Sequence, residues 1–92
     1  MWSAFIQTSS VQIGSNSETV EVIAEVVEGH VAAGMDVEIQ LNRSISWSVP
    51  IIRVIEMSNN HINLMLDGED NDGAAMIVAL NFEDEMLVVS ST

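Results

Sequence analysis

The chain has 92 residues, 48% of them hydrophobic, which is enough for one folded domain with a single core but too few for two lobes around a catalytic cleft. Fourteen acidic residues against two arginines and no lysine give a formal net charge of −12 at pH 7, so the surface repels phosphate backbones and we expect no direct binding of nucleic acid. The lack of cysteine excludes disulfides and thiolate metal sites.

The N-terminal residues MWSAFIQTSS contain no basic region followed by a long apolar run. No stretch of the sequence approaches the roughly 18 apolar residues that a membrane-spanning helix needs. We therefore expect a soluble, cytoplasmic protein with no membrane partner. The strong negative charge has two interpretations: it keeps the protein soluble, or it steers a basic protein partner or a cation towards the surface.

Apolar and polar residues alternate over short stretches, which predicts a chain made mostly of β-strands. The first predicted strand covers residues 2–13 and is ended by the polar turn 14–17. The second covers residues 19–27, and its two faces differ. One face is wholly apolar: Val20, Val22, Ala24 and Val26. The other alternates glutamate with Ile23 and Val27, so it is not fully solvated.

Two glycines, Gly29 and Gly34, frame a short connection after the second strand. A backbone with φ > 0 costs glycine little, so we expect both at turns that let the chain leave one strand and re-enter the sheet beside it. A half-buried strand follows over residues 35–42, where apolar and polar side chains alternate strictly.

Four further strands are predicted over residues 49–57, 62–67, 74–80 and 86–89. Pro50 cannot donate a hydrogen bond to a ladder, so its strand should begin near Pro50 or lie at a sheet edge there. The interior of the resulting fold is predicted to contain Val37, Ile39, Leu41, Ile51, Ile55, Ile62, Leu64 and Leu66.

Six or seven short strands and no long helix predict an all-β, antiparallel fold. A single small barrel over residues 1–92 is the economical form at this length, because closure of the sheet removes exposed strand edges.

The segment VIAEVVEGHVAAGMDVEIQL (Val22 to Leu41) joins two strands through the glycine-framed connection, and VPIIRVIEM, HINLMLDG and MLVV follow as further strands. This arrangement resembles the domain II β-barrel of translation GTPases of the elongation factor Tu type. The resemblance implies a translation-factor domain II-like barrel from about Val11 to Val89. It does not imply GTP hydrolysis or ribosome binding, because a chain without lysine has no P-loop.

The acidic turn from Asp67 to Gly73 raises the question of calcium. An EF-hand loop needs an oxygen ligand at its first position and a bidentate glutamate at its twelfth. If Gly73 is the sixth residue, those positions fall on Gly68 and Ala79, which have no side-chain oxygen. Weak binding of a hydrated cation and a solvated hairpin tip both stay open.

Catalytic and metal-binding motifs are missing from the sequence. His30 and His61 lie far apart, without HxH or HExxH spacing, and no serine lies in a G-x-S-x-G motif. We therefore expect no metal site and no cofactor, and no residue can be named as catalytic.

The two cations, Arg43 and Arg53, are each expected to have an acidic neighbour. Arg53 alternates in phase with Ile51 and Ile55, which would place it on an apolar face. Pairing with a carboxylate of the chain is the leading interpretation there, and contact with a ligand carboxylate is the alternative.

Apolar residues on the second faces of strands indicate surfaces that something must cover. The four aromatic residues, Trp2, Phe5, Trp47 and Phe82, either plug the barrel ends or act as exposed anchors. Candidate interface residues are Ile23, Val27, Ala75, Ile77, Ala79 and Trp47.

These observations favour a non-enzymatic β-barrel module that acts by protein association, either as a homodimer or with a basic protein partner. The alternative is a small-molecule-binding or hydrolytic domain that uses acidic residues. A pocket with two facing carboxylates, such as Glu56 near Asp84, would favour that alternative.

Overall fold

The computed structural model describes residues 3–40 and 43–91 of the chain. Trp2 and Leu41, two of the residues discussed above, lie outside these ranges. The described residues form six strands and one helix: β1 (Ser3–Ile13), β2 (Thr19–Glu28), β3 (Asp36–Gln40), β4 (Ser46–Glu56), β5 (His61–Asp67), α1 (Asn71–Ala79) and β6 (Met86–Ser90).

The six strands close into one barrel in the order β1, β2, β5, β4, β3, β6, and every neighbouring pair is antiparallel. This confirms the predicted all-β antiparallel barrel. Closure follows from the pattern of the sequence, because each strand carries one apolar face that the barrel interior buries.

The barrel interior is filled by side chains. Six of the predicted interior residues are buried there: Val37, Ile39, Ile51, Ile62, Leu64 and Leu66. Phe82 is also buried in the core, while Trp47 is partly buried against it, so both serve as the core packing that one interpretation predicted. Phe5 does not pack in the core, because its side chain is exposed on the outside of the barrel.

The predicted interior position of Ile55 is wrong, because a β-bulge reverses the alternation of β4. Ile51 pairs with Leu66 and Arg53 pairs with Met65, so Ile52 is an extra residue without its own partner. An extra residue switches every later side chain to the opposite face. Ile55 is therefore 48% exposed, and Arg53 lies on the outer surface rather than on a buried apolar face.

Pro50 lies inside β4 and pairs with Asp36, so the strand does not begin near Pro50. The other predicted alternative, a sheet edge at Pro50, holds on the β5 side of the strand. The ladder tolerates Pro50 because the next residue, Ile51, makes the hydrogen bonds on the β3 side: its amide donates to Met35 and its carbonyl accepts from Gly34. The nitrogen of Pro50 therefore points to the other side of β4, where pairing with β5 begins only at Ile51.

The strand predicted over residues 74–80 is a helix, α1. Asp70 caps its N-terminus, since its carboxylate accepts a hydrogen bond from the amide of Gly73 at 2.7 Å. Ala74 and Ile77, three residues apart, face the core and are buried. The acidic segment after β5 is therefore a helix entry and not the tip of a hairpin.

This correction separates three of the candidate interface residues. On a strand, Ala75, Ile77 and Ala79 would share one face, whereas on a helix they do not. Ile77 is fully buried in the core, and Ala75 and Ala79 are exposed. They do not form the common apolar face that the strand prediction required.

Both glycines of the β2–β3 connection have a positive φ, as predicted: +87° at Gly29 and +93° at Gly34. Their surroundings differ. A Cβ atom on Gly29 would lie 2.6 Å from the carbonyl oxygen of Ser3, whereas one on Gly34 would meet no atom within 4 Å. Gly29 is thus required both for its backbone angle and for close approach to β1.

Candidate interaction surfaces

The core cluster occupies the inside of the barrel, so candidate sites lie on its rim and outer surface. One groove on the rim, about 270 Å³ in volume, brings together residues that are distant in sequence: Val26, Gly29, His30, Val31, Glu56, Met57, Asn60, His61 and Ile62. It therefore contains both histidines and one carboxylate of the chain. Asp84 does not line it, so this groove lacks the facing carboxylates considered for a hydrolytic site.

The two histidines of the rim groove do not complete a metal site. His61 Nδ1 lies 3.1 Å from the carbonyl oxygen of Asn59, so one ring nitrogen is engaged with the adjacent turn. Within residues 3–40 and 43–91, no group of three or more His, Cys, Asp or Glu side chains could hold a metal ion.

Backbone amides engage carboxylates of the acidic segment that follows β5. Asp67 accepts a hydrogen bond from the amide of Glu69 at 2.8 Å, and Asp70 caps α1. These local bonds give Asp67 and Asp70 roles as turn and helix-cap groups.

A first candidate surface lies on the outside of β2, β5 and β4, and we name it the β5 face. Strand register places its outward residues in two rows. One row runs Ile23, Asn63, Ile55, and the adjacent row runs Glu21, Met65, Arg53. Each row thus has matching or opposite groups on the two sides of β5: isoleucine and isoleucine in the first, carboxylate and guanidinium in the second.

Hydrogen bonding fixes part of the β5 face. Asn63 Nδ2 donates to Glu21 Oε1 at 3.3 Å, which ties the two rows together. Arg53 is exposed, and no ion pair is found for it among the described residues. The acidic neighbour predicted for Arg53 is therefore not supplied by its own chain in the part that the structure describes.

A second candidate surface lies on the outside of β1 and β6, and we name it the β1–β6 face. Its apolar centre consists of Phe5, Val27, Met86 and Val88, all of which are exposed. Phe5 pairs directly with Val88, and Met86 pairs with Gln7 on the same strands. Val27 of β2 joins this surface through a β-bulge. Phe5 pairs with Glu28 and Ile6 pairs with Val26, so Val27 is an extra residue on β2 without its own partner.

Carboxylates border the β1–β6 face on both sides. Glu28 of β2 pairs with Phe5, and Glu38 of β3 pairs with Val88. One continuous row therefore reads Glu38, Val88, Phe5, Glu28 across four strands. Glu25, opposite Gln7 in the next row, extends the border along β2.

The sequence-predicted interface residues are divided between these surfaces. Ile23 belongs to the β5 face, Val27 belongs to the β1–β6 face, and Trp47 is turned inward opposite Ile39. Sequence reasoning missed Val88 and Ile55 as outward residues, whereas an exposed Phe5 was one of its two interpretations. Alternation along one strand identifies a face, but it does not say which residues of other strands lie beside it.

No protein-family model, curated protein or solved structure matches this chain. Within the described ranges, no helix is long and apolar enough to span a membrane. The candidate function must therefore come from the two outer faces and the rim groove themselves.

Proposed function

We propose that this chain is a non-enzymatic β-barrel module that acts by protein association, and that a second copy of the chain binds to its β5 face as a symmetric homodimer. The observation that supports this is the register of Glu21, Met65 and Arg53, beside the row of Ile23, Asn63 and Ile55. The two rows make the β5 face complementary to itself.

The complementarity follows from a twofold axis that runs parallel to β5 in the plane between the two copies. Such an axis exchanges the two sides of the strand, so Glu21 of one copy faces Arg53 of the other, and the second such pair forms by symmetry. In the adjacent row Ile23 of one copy faces Ile55 of the other. Asn63 and Met65 lie on the axis and meet their own counterparts.

Charge supports the choice of this face over the others. Two copies that each carry −12 repel one another, so a stable contact must avoid adding carboxylate to carboxylate. The β5 face contains Arg53, one of the two arginines of the chain, in the same row as Glu21. Salt screens the overall repulsion between the copies, so the dimer is expected to tighten as salt concentration rises.

Sedimentation of charge variants tests the homodimer. Arg53→Glu and Glu21→Arg should each weaken dimerisation, because each change places like charges against one another across the axis. The double variant Arg53→Glu with Glu21→Arg should restore it, since the pairs re-form with reversed polarity. Ile55→Asp should weaken it as well, and Met76→Asp, which changes an exposed residue of α1, is the matched control.

The proposal fails if the native chain sediments as a 10.0 kDa monomer at high concentration in both low and high salt. It also fails if the double charge variant dimerises no more strongly than the single variants. A contact elsewhere on the barrel would not respond when the charges of residues 21 and 53 are swapped.

A relationship to domain II barrels of translation GTPases is a second part of this proposal. The glycine-framed connection, with left-handed backbone at Gly29 and Gly34, and the closed antiparallel barrel support it. We propose a shared fold only. The test is an experimental structure, whose strand order and connection should superimpose on those of the domain II barrels.

The rim groove is the specific feature that favours the alternative, a small-molecule-binding or hydrolytic domain. It offers His30, His61 and Glu56 around a space of about 270 Å³, just below the roughly 300–1,000 Å³ of typical small-molecule sites. Titration of labelled protein with small polar fragments tests it by NMR. Shifts confined to the groove that are lost in His61→Ala would favour this alternative, and their absence would leave protein association as the function.

A further inference from the structure

We infer that the β1–β6 face binds an amphipathic helix of a protein partner, one that carries Lys or Arg on both sides of its apolar stripe. This inference specifies a basic partner for the proposed interaction module. It concerns a surface that the homodimer does not use, so each can fail without the other.

The apolar centre of this face is exposed and bordered by carboxylates. Phe5 and Val88 are direct cross-strand neighbours, so their side chains form one continuous contact area. Met86 extends that area along β6, and the bulge on β2 adds Val27. Exposed apolar groups of this kind, bordered by polar groups, are typical of protein interaction sites.

The polar border carries charge of one sign. Glu28 and Glu38 lie at the two ends of the row that contains Phe5 and Val88, and Glu25 lies beside them on β2. The four strands β1, β2, β3 and β6 contain no lysine or arginine. A partner that covers the apolar centre must therefore supply positive charge on both sides, and charge complementarity selects a basic partner over an acidic one.

The spacing of the two carboxylates fits a helix. Glu38 and Glu28 are separated by three strand-to-strand steps, or about 14 Å on neighbouring-strand spacings of about 4.8 Å. A helix with its side chains is about 10–12 Å wide. It can therefore lie along β1 and β6, with Glu38 on one side and Glu28 on the other. Its apolar stripe then contacts Phe5 and Val88 while its flanking cations reach the carboxylates.

An added strand fits this surface less well than a helix. Both β1 and β6 already pair on each of their two sides, with β2, β3 and one another. Backbone groups for a further ladder are therefore used within the barrel. Recognition on this face depends on side chains, which is how amphipathic helices bind to surfaces.

A synthetic peptide of about 18 residues, long enough to form a helix when bound, is the direct probe. Leucines at positions i, i+3, i+4 and i+7 make its stripe, and lysines fill the other positions. We expect binding by fluorescence anisotropy that weakens as salt rises, which is the opposite of the salt effect on the homodimer. A scrambled peptide of the same composition and a peptide with glutamate in place of lysine are the controls, and both should bind at least about tenfold more weakly.

Two variants locate the bound peptide. Val88→Asp should weaken binding by about tenfold or more, because it places a charge in the apolar centre. Glu28→Lys with Glu38→Lys should weaken binding and reduce its salt dependence, and it leaves the apolar residues unchanged. Met76→Asp, on α1, should bind the peptide as the native chain does.

The outcomes separate the two proposals. Failure of the peptide to bind, equal binding of the scrambled peptide, or full binding by the double lysine variant would each overturn the helix site. Sedimentation of the same samples reports the homodimer independently. A lost peptide site with an intact dimer removes only this inference, and a lost dimer with an intact peptide site removes only the β5 contact.

Discussion

Thr8 and Glu85 are hydrogen-bonded to each other in both directions. The amide of Thr8 donates to the carbonyl of Glu85 at 2.9 Å, and the amide of Glu85 donates to the hydroxyl of Thr8 at 3.0 Å. The same hydroxyl donates to the carbonyl of Phe82 at 2.5 Å. This buried threonine therefore attaches the connection between α1 and β6 to the first strand of the barrel, and it accounts for the one polar residue within the run of inward side chains on β1.

Thr8→Val is expected to destabilise the protein. Valine has nearly the same shape but no hydroxyl, so the carbonyl of Phe82 and the amide of Glu85 lose a partner in a largely buried place. The free energy of unfolding should fall by about 1–3 kcal/mol. Urea denaturation measures it, with Thr8→Ser as the control that keeps the hydroxyl. Equal stability of the valine variant and the native chain would contradict the role of Thr8.

Gly29→Ala and Gly34→Ala form a matched pair, because both residues have a positive φ but only Gly29 is crowded. Gly34→Ala should cost about 1–2 kcal/mol, the penalty of left-handed backbone alone. Gly29→Ala adds a clash with the backbone of Ser3 and Ala4, so it should cost more than about 3 kcal/mol in total. Thermal unfolding compares the stability of the two variants. Equal losses of stability would show that the backbone angle alone, and not crowding at Gly29, sets the cost of the substitution.

Sequence patterns predicted most strands because each strand buries one alternating face. The apolar sets of β2 and β5 lie inside the barrel as the alternation indicated. The predicted turn glycines were also correct, since positive φ is a local property that glycine reports directly.

Two errors have separate physical causes. Residues 74–80 were assigned to a strand because short apolar runs do not distinguish helix from strand by period alone. The helix signal was present in Asp70, a good N-cap, followed by buried residues at Ala74 and Ile77. The error at Ile55 came from the bulge at Ile52. A bulge within a run of apolar residues does not change the sequence pattern, so alternation alone cannot locate it.

The candidate surfaces were less predictable than the fold. Ile23 and Val27 were identified as partly exposed apolar residues, but their neighbours depend on strand order. The barrel places Ile55 in line with Ile23 and brings Phe5 beside Val88, from strands that are distant in the chain. Only the closed topology brings these pairs together.

Ile77→Asp should unfold the protein rather than disrupt an interface. Ile77 is fully buried, so the carboxylate would be placed in the core without a partner at a cost of several kcal/mol. Its neighbour Met76 is 56% exposed, and Met76→Asp should leave the stability nearly unchanged. Circular dichroism and thermal unfolding compare the two. A folded, monomeric Ile77→Asp protein would instead support an interface at this residue.

Asp70→Ala should lower stability by about 1 kcal/mol, because it removes the side chain that caps α1. Asp70→Asn is the control, since its side-chain oxygen can still accept the hydrogen bond from Gly73. Denaturant unfolding should rank the native chain and the asparagine variant together, above the alanine variant. If alanine is tolerated as well as asparagine, the cap contributes little to this short helix.

DNA and RNA should not bind to this protein at moderate salt. Arg43 and Arg53 are both exposed, but they are the only cations in a chain of net charge −12. Since each neutralised phosphate contributes about −0.9 to the slope of log K against log salt, two arginines could produce a slope of only about −1.8. Repulsion by the fourteen acidic residues opposes even those two contacts. Electrophoretic mobility shift with duplex DNA and single-stranded RNA tests this across several salt concentrations. Micromolar binding with a steeper negative slope would require cations that the chain does not have, and would contradict the electrostatic exclusion of nucleic acid.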